Sequence, residues 1–147
     1  MAVTVSLYNN TVKRLVNQEV DFTALKMMLL DATASFTATH TALTDVAGAS
    51  HDKEVFGNGW TEGGELLASV AVTTIATNDA KLDAADISVT ATGGPIGPAT
   101  AAVIYDDTDA ADAPLAYIDF GGEEQAGEST DFKVVWHTDG IFKFTYA

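Results

Sequence analysis

The side chains with chemical potential in this sequence are a glycine run, an acidic run and three histidines. Gly57-Asn58-Gly59-Trp60-Thr61-Glu62 begins like a dinucleotide loop, in which close-set glycines let backbone amides approach a pyrophosphate. That chemistry needs GxGxxG between a strand and a helix whose first amides face the phosphates. Here a carboxylate, Glu62, stands where the last glycine belongs, and the chain runs on into a strand-like segment. The glycines are therefore predicted to shape a corner that lets Trp60 lie against a sheet.

Asp106, Asp107, Asp109 and Asp112 resemble a calcium loop in density but not in spacing. An EF-hand begun at Asp107 requires an oxygen ligand at its fifth position, glycine at its sixth and glutamate at its twelfth. The chain offers Ala111, Asp112 and Ile118, so a solvated acidic turn is expected. His40, His51 and His137 lie far apart and form no HxxxH or HExxH pair, so no metal site is expected. No serine sits in GxSxG, and carboxylates are too abundant for one catalytic pair to stand out. The absence of cysteine excludes disulfides, thiolate zinc sites and cysteine nucleophiles. The expectation is a protein that is not an enzyme, with no cofactor.

The 147 residues suit one domain that can bury a core without staples. At 47% hydrophobic residues the chain is too apolar to be disordered, despite a net charge of −14. The first 60 residues hold 6 acidic and 4 basic groups; the remainder holds 15 and 3. Such an acidic surface repels phosphate, so no nucleic-acid partner is expected. No segment approaches the roughly 18 apolar residues of a membrane span, and the start lacks a basic leader. A soluble protein without a secretion signal or membrane contact is expected.

The elements that must position these residues read mostly as strands. "AVTVSL" alternates like a strand or extended arm; Asn9, Asn10 or Thr11 can cap a short helix carrying Val12, Leu15 and Val16 on one stripe, with Lys13 and Arg14 on the wet side. Residues 23–30, "TALKMMLL", read as a buried strand between two aspartates; a long loop follows, with a helical turn near residues 41–46. "ELLASVAVTTIAT" alternates as one long strand, and residues 77–80 make a turn. "AKLDAADISVTA" supplies one or two strands, and Pro95 and Pro98 mark a loop. Strands are predicted again at 99–105 and 114–120.

Asp139-Gly140 predicts a type I′ turn joining two final strands. Phe132, Val134 and Trp136 would then share a face with Ile141, Lys143 and Thr145, and Val135 and His137 with Phe142, Phe144 and Tyr146. Both faces are greasy, which predicts cover on both sides and a tendency to associate. The expected architecture is mainly β, an antiparallel β-sandwich or barrel-like domain over residues 21–147, preceded by an N-terminal arm and short helix over residues 1–20.

The ordered series "ALKMMLLD", "GNGWTEGGELL", "AKLDAADISVT", "ATAAVIYDD", "PLAYIDFGG" and "DFKVVWHTDGIFKFT" resembles a family of small tailed-bacteriophage virion structural proteins. The likeness is strongest at Gly57, Gly59, Gly63, Gly64, Leu67, Tyr105, Pro114, Leu115, Asp119, Phe120, Gly121, Gly140 and Ile141. Trp60 stands where the family usually has tyrosine, and "GGPIGPAT" replaces a commoner polar run. The resemblance implies a capsid decoration or cement protein on the capsid exterior of the virion. Such a protein binds the major capsid protein lattice and stabilises the head as a homo-oligomer, a homotrimer being expected, and it has no catalytic residues. The alternatives are a tail, baseplate or head-fibre protein, or a carbohydrate-binding host-attachment module. An acidic body beside a nearly neutral N-terminal segment makes Leu7, Tyr8, Val12, Leu15 and Val16 the expected interface residues, with Trp60 as an aromatic anchor.

Overall fold

The computed structural model describes residues 2–145. Its elements are β1 (Thr4–Leu7), α1 (Thr11–Val16), β2 (Leu25–Leu30), α2 (Leu43–Ala47), β3 (Glu54–Val55), β4 (Glu65–Leu66), β5 (Ala71–Ala76), β6 (Asp79–Asp83), β7 (Ile87–Thr90), β8 (Ile96–Asp106), β9 (Pro114–Ala126), β10 (Asp131–Val134) and β11 (Phe142–Thr145). The fold is mainly β, with antiparallel sheets in a sandwich-like arrangement, as the alternating patterns predict.

A central sheet runs β1-β9-β8-β2-β3, with β4 also paired to β2. Register sorts its side chains into two faces, because residues directly opposite in an antiparallel pair point the same way. Met27 opposes Ile104 and Leu29 opposes Ala102 on one face; Met28 opposes Val103 and Leu30 opposes Ala101 on the other. The first face packs on Trp60, Leu67, Phe132 and Ile141, carried by the smaller sheets and their links. The second packs on Leu43, Val46 and Ala47 of α2, with Tyr8 and Phe36 beside them. This two-sided cover explains the apolar run "MMLL" of β2, since a strand buried on both faces cannot alternate with polar residues. Each such Leu, Ile or Met contributes about 1.5–3 kcal/mol of burial.

Two smaller sheets form the opposing layer: β10-β7, and β11-β6-β5. They correct three expectations. The single long strand over residues 65–77 is two strands in different sheets, since the chain leaves the central sheet after β4 and turns at Ser69, φ 56°. Pro95 lies in a loop as expected, but Pro98 does not; β8 starts at Ile96 and carries Pro98 where the register to β9 shifts. A bulge tolerates a residue without an N–H donor.

The third correction concerns the terminal hairpin. β10 pairs with β7 and β11 pairs with β6, so the two final strands lie in separate sheets and share no faces. Trp136 is the physical reason: its backbone N donates to Asp86 Oδ1 and its indole N to Ala85 O, both at 3.0 Å, which steers the chain off β10's line. A tight turn survives between His137 and Gly140, whose N donates to His137 O at 2.8 Å. Its centre is Thr138-Asp139, and Gly140, φ 79°, is the left-handed residue after it. This is a type I turn with a glycine bulge rather than type I′. Tyr146, expected to share a hairpin face with Phe142 and Phe144, lies outside the described residues.

Candidate interaction surface

The glycine run forms the corner that its spacing suggested. Gly57 and Trp60 exchange backbone hydrogen bonds of 2.9 and 3.0 Å, and Asn58 and Gly59 between them have φ of 54° and 110°. Two positive φ values in succession are the type I′ geometry, here built by Asn-Gly. A Cβ on Gly59 would stand 2.7 Å from Thr90 O, so the corner seats directly on β7. Trp60 is thereby buried edge-on against Phe132, at 5.3 Å between ring centres, and belongs to the core. Tyr8 is also interior, stacked near Phe36 and His40. These two expected interface residues are core residues, and Leu7 is half-buried on β1, which pairs with β9 from Thr4 to Leu7.

The acidic run is not wholly solvated. Asp106 is 1% exposed and accepts from Asp21 N at 3.1 Å and from Thr108 N and Oγ1 at 3.0 and 2.7 Å. The chain's single arginine, Arg14, reaches it at 3.6 Å and Asp109 at 3.0 Å. Asp107 pairs with Lys26 at 2.8 Å. Burial, then the neighbouring Asp107, raises the Asp112 carboxyl above its ordinary range. The run thus anchors helix α1 and the start of β2.

That anchoring inverts α1. The apolar stripe Val12, Leu15 and Val16 was expected to dock, with Arg14 outside. Instead Thr11 is fully buried, its hydroxyl donating to Leu115 O at 2.6 Å, and Arg14 is tied to the acidic run. The helix sits on its polar stripe, leaving Val12 46% and Val16 75% exposed. The ion pair wins because a buried Asp106 without a cation is costlier than two exposed valines.

Beside this stripe lies the small sheet β5-β6-β11. Val72, Leu82 and Phe142 oppose one another, as do Thr74, Ala80 and Phe144, and together they make its apolar face. The other face carries Thr73, Lys81 and Lys143 in one row. Leu82 is buried and Phe142 packs on the core, but the rest of the sheet overhangs it. The overhang and α1 enclose a groove of about 530 Å³, lined by Val12, Leu15, Val16, Phe22, Val72 and Phe144. Three of the six expected interface residues therefore converge here. Phe22, Val72 and Phe144 were missed, since only the pairing through β6 brings β5 and β11 to the helix.

A second cleft, of about 510 Å³, gathers Ser50, His51, Glu54 and Glu62. Burial raises the Glu54 carboxyl above its ordinary range, and its Oε1 accepts from Gly63 N at 2.6 Å. Among the described residues no hydroxyl in this cleft is hydrogen-bonded to His51 or to a carboxylate, so no nucleophile–base pair is formed. His40 lies at the Tyr8 ring and His137 is exposed, its Nδ1 accepting from Asp139 N at 3.1 Å. The described residues contain no group of three or more metal-ligating side chains, and no helix long and apolar enough to cross a membrane. Comparison with family models, with curated proteins and with solved structures finds no match to this chain.

Proposed function

We propose that the chain is a non-enzymatic structural protein of a bacteriophage virion, which decorates the capsid exterior by binding the major capsid protein and so stabilises the head. The observation that carries this reading is the inverted helix: α1 is fixed to its own domain through Thr11 and Arg14 and presents Val12 and Val16 outward. An amphipathic helix held by its polar side displays an apolar stripe next to an apolar groove, which is the form of a protein-binding face. The acidic remainder keeps the protein soluble and points away from the shell. The resemblance of the ordered motifs to tailed-phage virion proteins supplies the identity of the partner.

The test is co-sedimentation with empty shells of the major capsid protein. Removing residues 1–20 is unsuitable, since it strips β1 from β9 and Tyr8 and Thr11 from the interior. Val12→Asp and Val16→Asp keep the anchoring side intact and place carboxylates in the apolar stripe. Each is expected to lower shell binding by at least about tenfold with the melting temperature unchanged. Binding equal to that of the parent protein refutes this surface as the shell contact.

A further inference from the structure

β5 is exposed along its whole length and on both faces, and its outer edge is unpaired among the described residues, because the sheet order ends at β5. Such an edge offers a row of free N–H and C=O groups, which natural proteins usually blunt with lysine, proline or a bulge. Its sequence, Ala71-Val72-Thr73-Thr74-Ile75-Ala76, has no charge and no proline. The one irregularity, between Thr74 and Ala76, lies at the hairpin end and leaves 71–74 in regular register. Val72 is 47% and Ile75 36% exposed.

We propose that this edge pairs with β5 of a second copy of the chain, antiparallel about a two-fold axis, making one continuous six-stranded sheet. An axis at Thr73 sets Val72 opposite Thr74 of the second copy, and parity then places both apolar faces on the same side. The two α1 grooves come to lie side by side on that face. The inference goes beyond the proposed shell contact, since it concerns the sheet edge and not the groove, and it sets a two-fold dimer in place of the homotrimer that the resemblance implied.

Charge selects the occupant. The chain carries −14, so another copy is repelled by most of its surface, whereas a basic partner is drawn to that surface. No charged residue occurs from Leu66 to Asn78, and the three-stranded sheet balances Asp79 and Asp83 against Lys81 and Lys143. Lys81 and Asp83 are paired at 2.6 Å. A neutral strip on an acidic body gives a cationic partner little purchase and lets a second acidic copy approach where repulsion is least. Backbone pairing at the edge supplies the attraction, and β-branched Val72, Thr73 and Thr74 favour the extended form.

The experiment is sedimentation equilibrium of the purified full chain, without capsids, over a concentration series. The expected species is a dimer of twice the 15.4 kDa chain. Thr73→Lys sets two like charges face to face beside the row of Lys81 and Lys143, and is expected to weaken dimerisation at least about tenfold without lowering the melting temperature of the dilute monomer. Hydrogen exchange at the amides of β5 that point away from β6, protected only in the dimer, reports the edge itself. A monomer at every concentration, a trimer, or a dimer indifferent to Thr73→Lys overturns the proposal. Val16→Asp separates the two readings: it should lower shell binding by at least about tenfold and leave the dimer intact.

Discussion

β8 and β5 are built from the same kinds of residue and meet opposite fates. "TAAVIY" within β8 is buried on both faces between β2 and β9, while "AVTTIA" of β5 is exposed on both. Neither propensity nor hydropathy distinguishes them; position does. β8 lies inside a sheet covered by α2 on one side and the small sheets on the other, whereas β5 ends a sheet that overhangs the core. An apolar strand in the middle of a layered domain is a stability element, and the same strand at an uncovered edge is a surface awaiting a partner.

The sharpest way to break this comparison is to truncate the same residue type in both strands. Ile104→Ala removes a fully buried side chain packed against Met27 and Ala116 and should cost about 2–5 kcal/mol in urea unfolding. Ile75→Ala, in the monomer, should stay within about 0.5 kcal/mol of the parent. Equal losses would mean that β5 is buried within its own chain in solution.

The contrast also marks what was legible in the sequence. β2 was readable because a short, mostly apolar run between Asp21 and Asp31 has few alternatives to burial, and the β1 and α1 positions followed from alternation and helical spacing, whereas α2 was expected only as one helical turn within a long loop. The glycine corner was readable as a corner, yet its Asn58-Gly59 turn is the stronger type I′ signal than the Asp139-Gly140 chosen for it. Facing at the C-terminus failed because it assumed that consecutive strands pair, and the hydrogen bonds of Trp136 to residues 85 and 86 redirect the chain. The orientation of α1 was unreadable from spacing alone. It depends on Arg14 finding Asp109, 95 positions away, and Asp106 beside it. A lone arginine in an acidic chain was the available signal.

Within α1 the two stripes repeat the comparison at smaller scale. Arg14→Ala leaves buried Asp106 without its cation and should cost about 1.5–3 kcal/mol, read by thermal or urea unfolding. Val16→Ala on the opposite stripe should change stability by less than about 0.5 kcal/mol. Reversal of that order would mean that the helix docks through its valines after all, and the groove would lose its exposed wall.

The smallest effect separates the outer sheets from the central one through their carboxylates. Thr90's hydroxyl, with Ser88 adding to it, holds Asp131 on β10 below its ordinary range; backbone amides of Thr41 and Ala42 do the same for Asp45 in α2. A lowered carboxylate binds fewer protons folded than unfolded, so its contribution is complete above the unfolded value, about 3.9, and disappears as pH falls through the folded one. Glu54 on β3, at the edge of the central sheet, is raised by burial and acts in the opposite sense: its contribution is present at low pH and is lost as pH rises through the raised value. Melting temperature should therefore fall from pH 5 toward pH 3 in the parent protein and fall less in Asp131→Asn, because the amide no longer titrates. Glu54→Gln should gain relative to the parent at pH 7 and lose that gain on acidification, since the amide keeps an oxygen for Gly63 N while avoiding a buried charge. If both variants follow the parent profile in parallel, these carboxylates have the same proton affinity folded and unfolded, and the hydrogen bonds to Asp131 and the burial of Glu54 do not hold in solution.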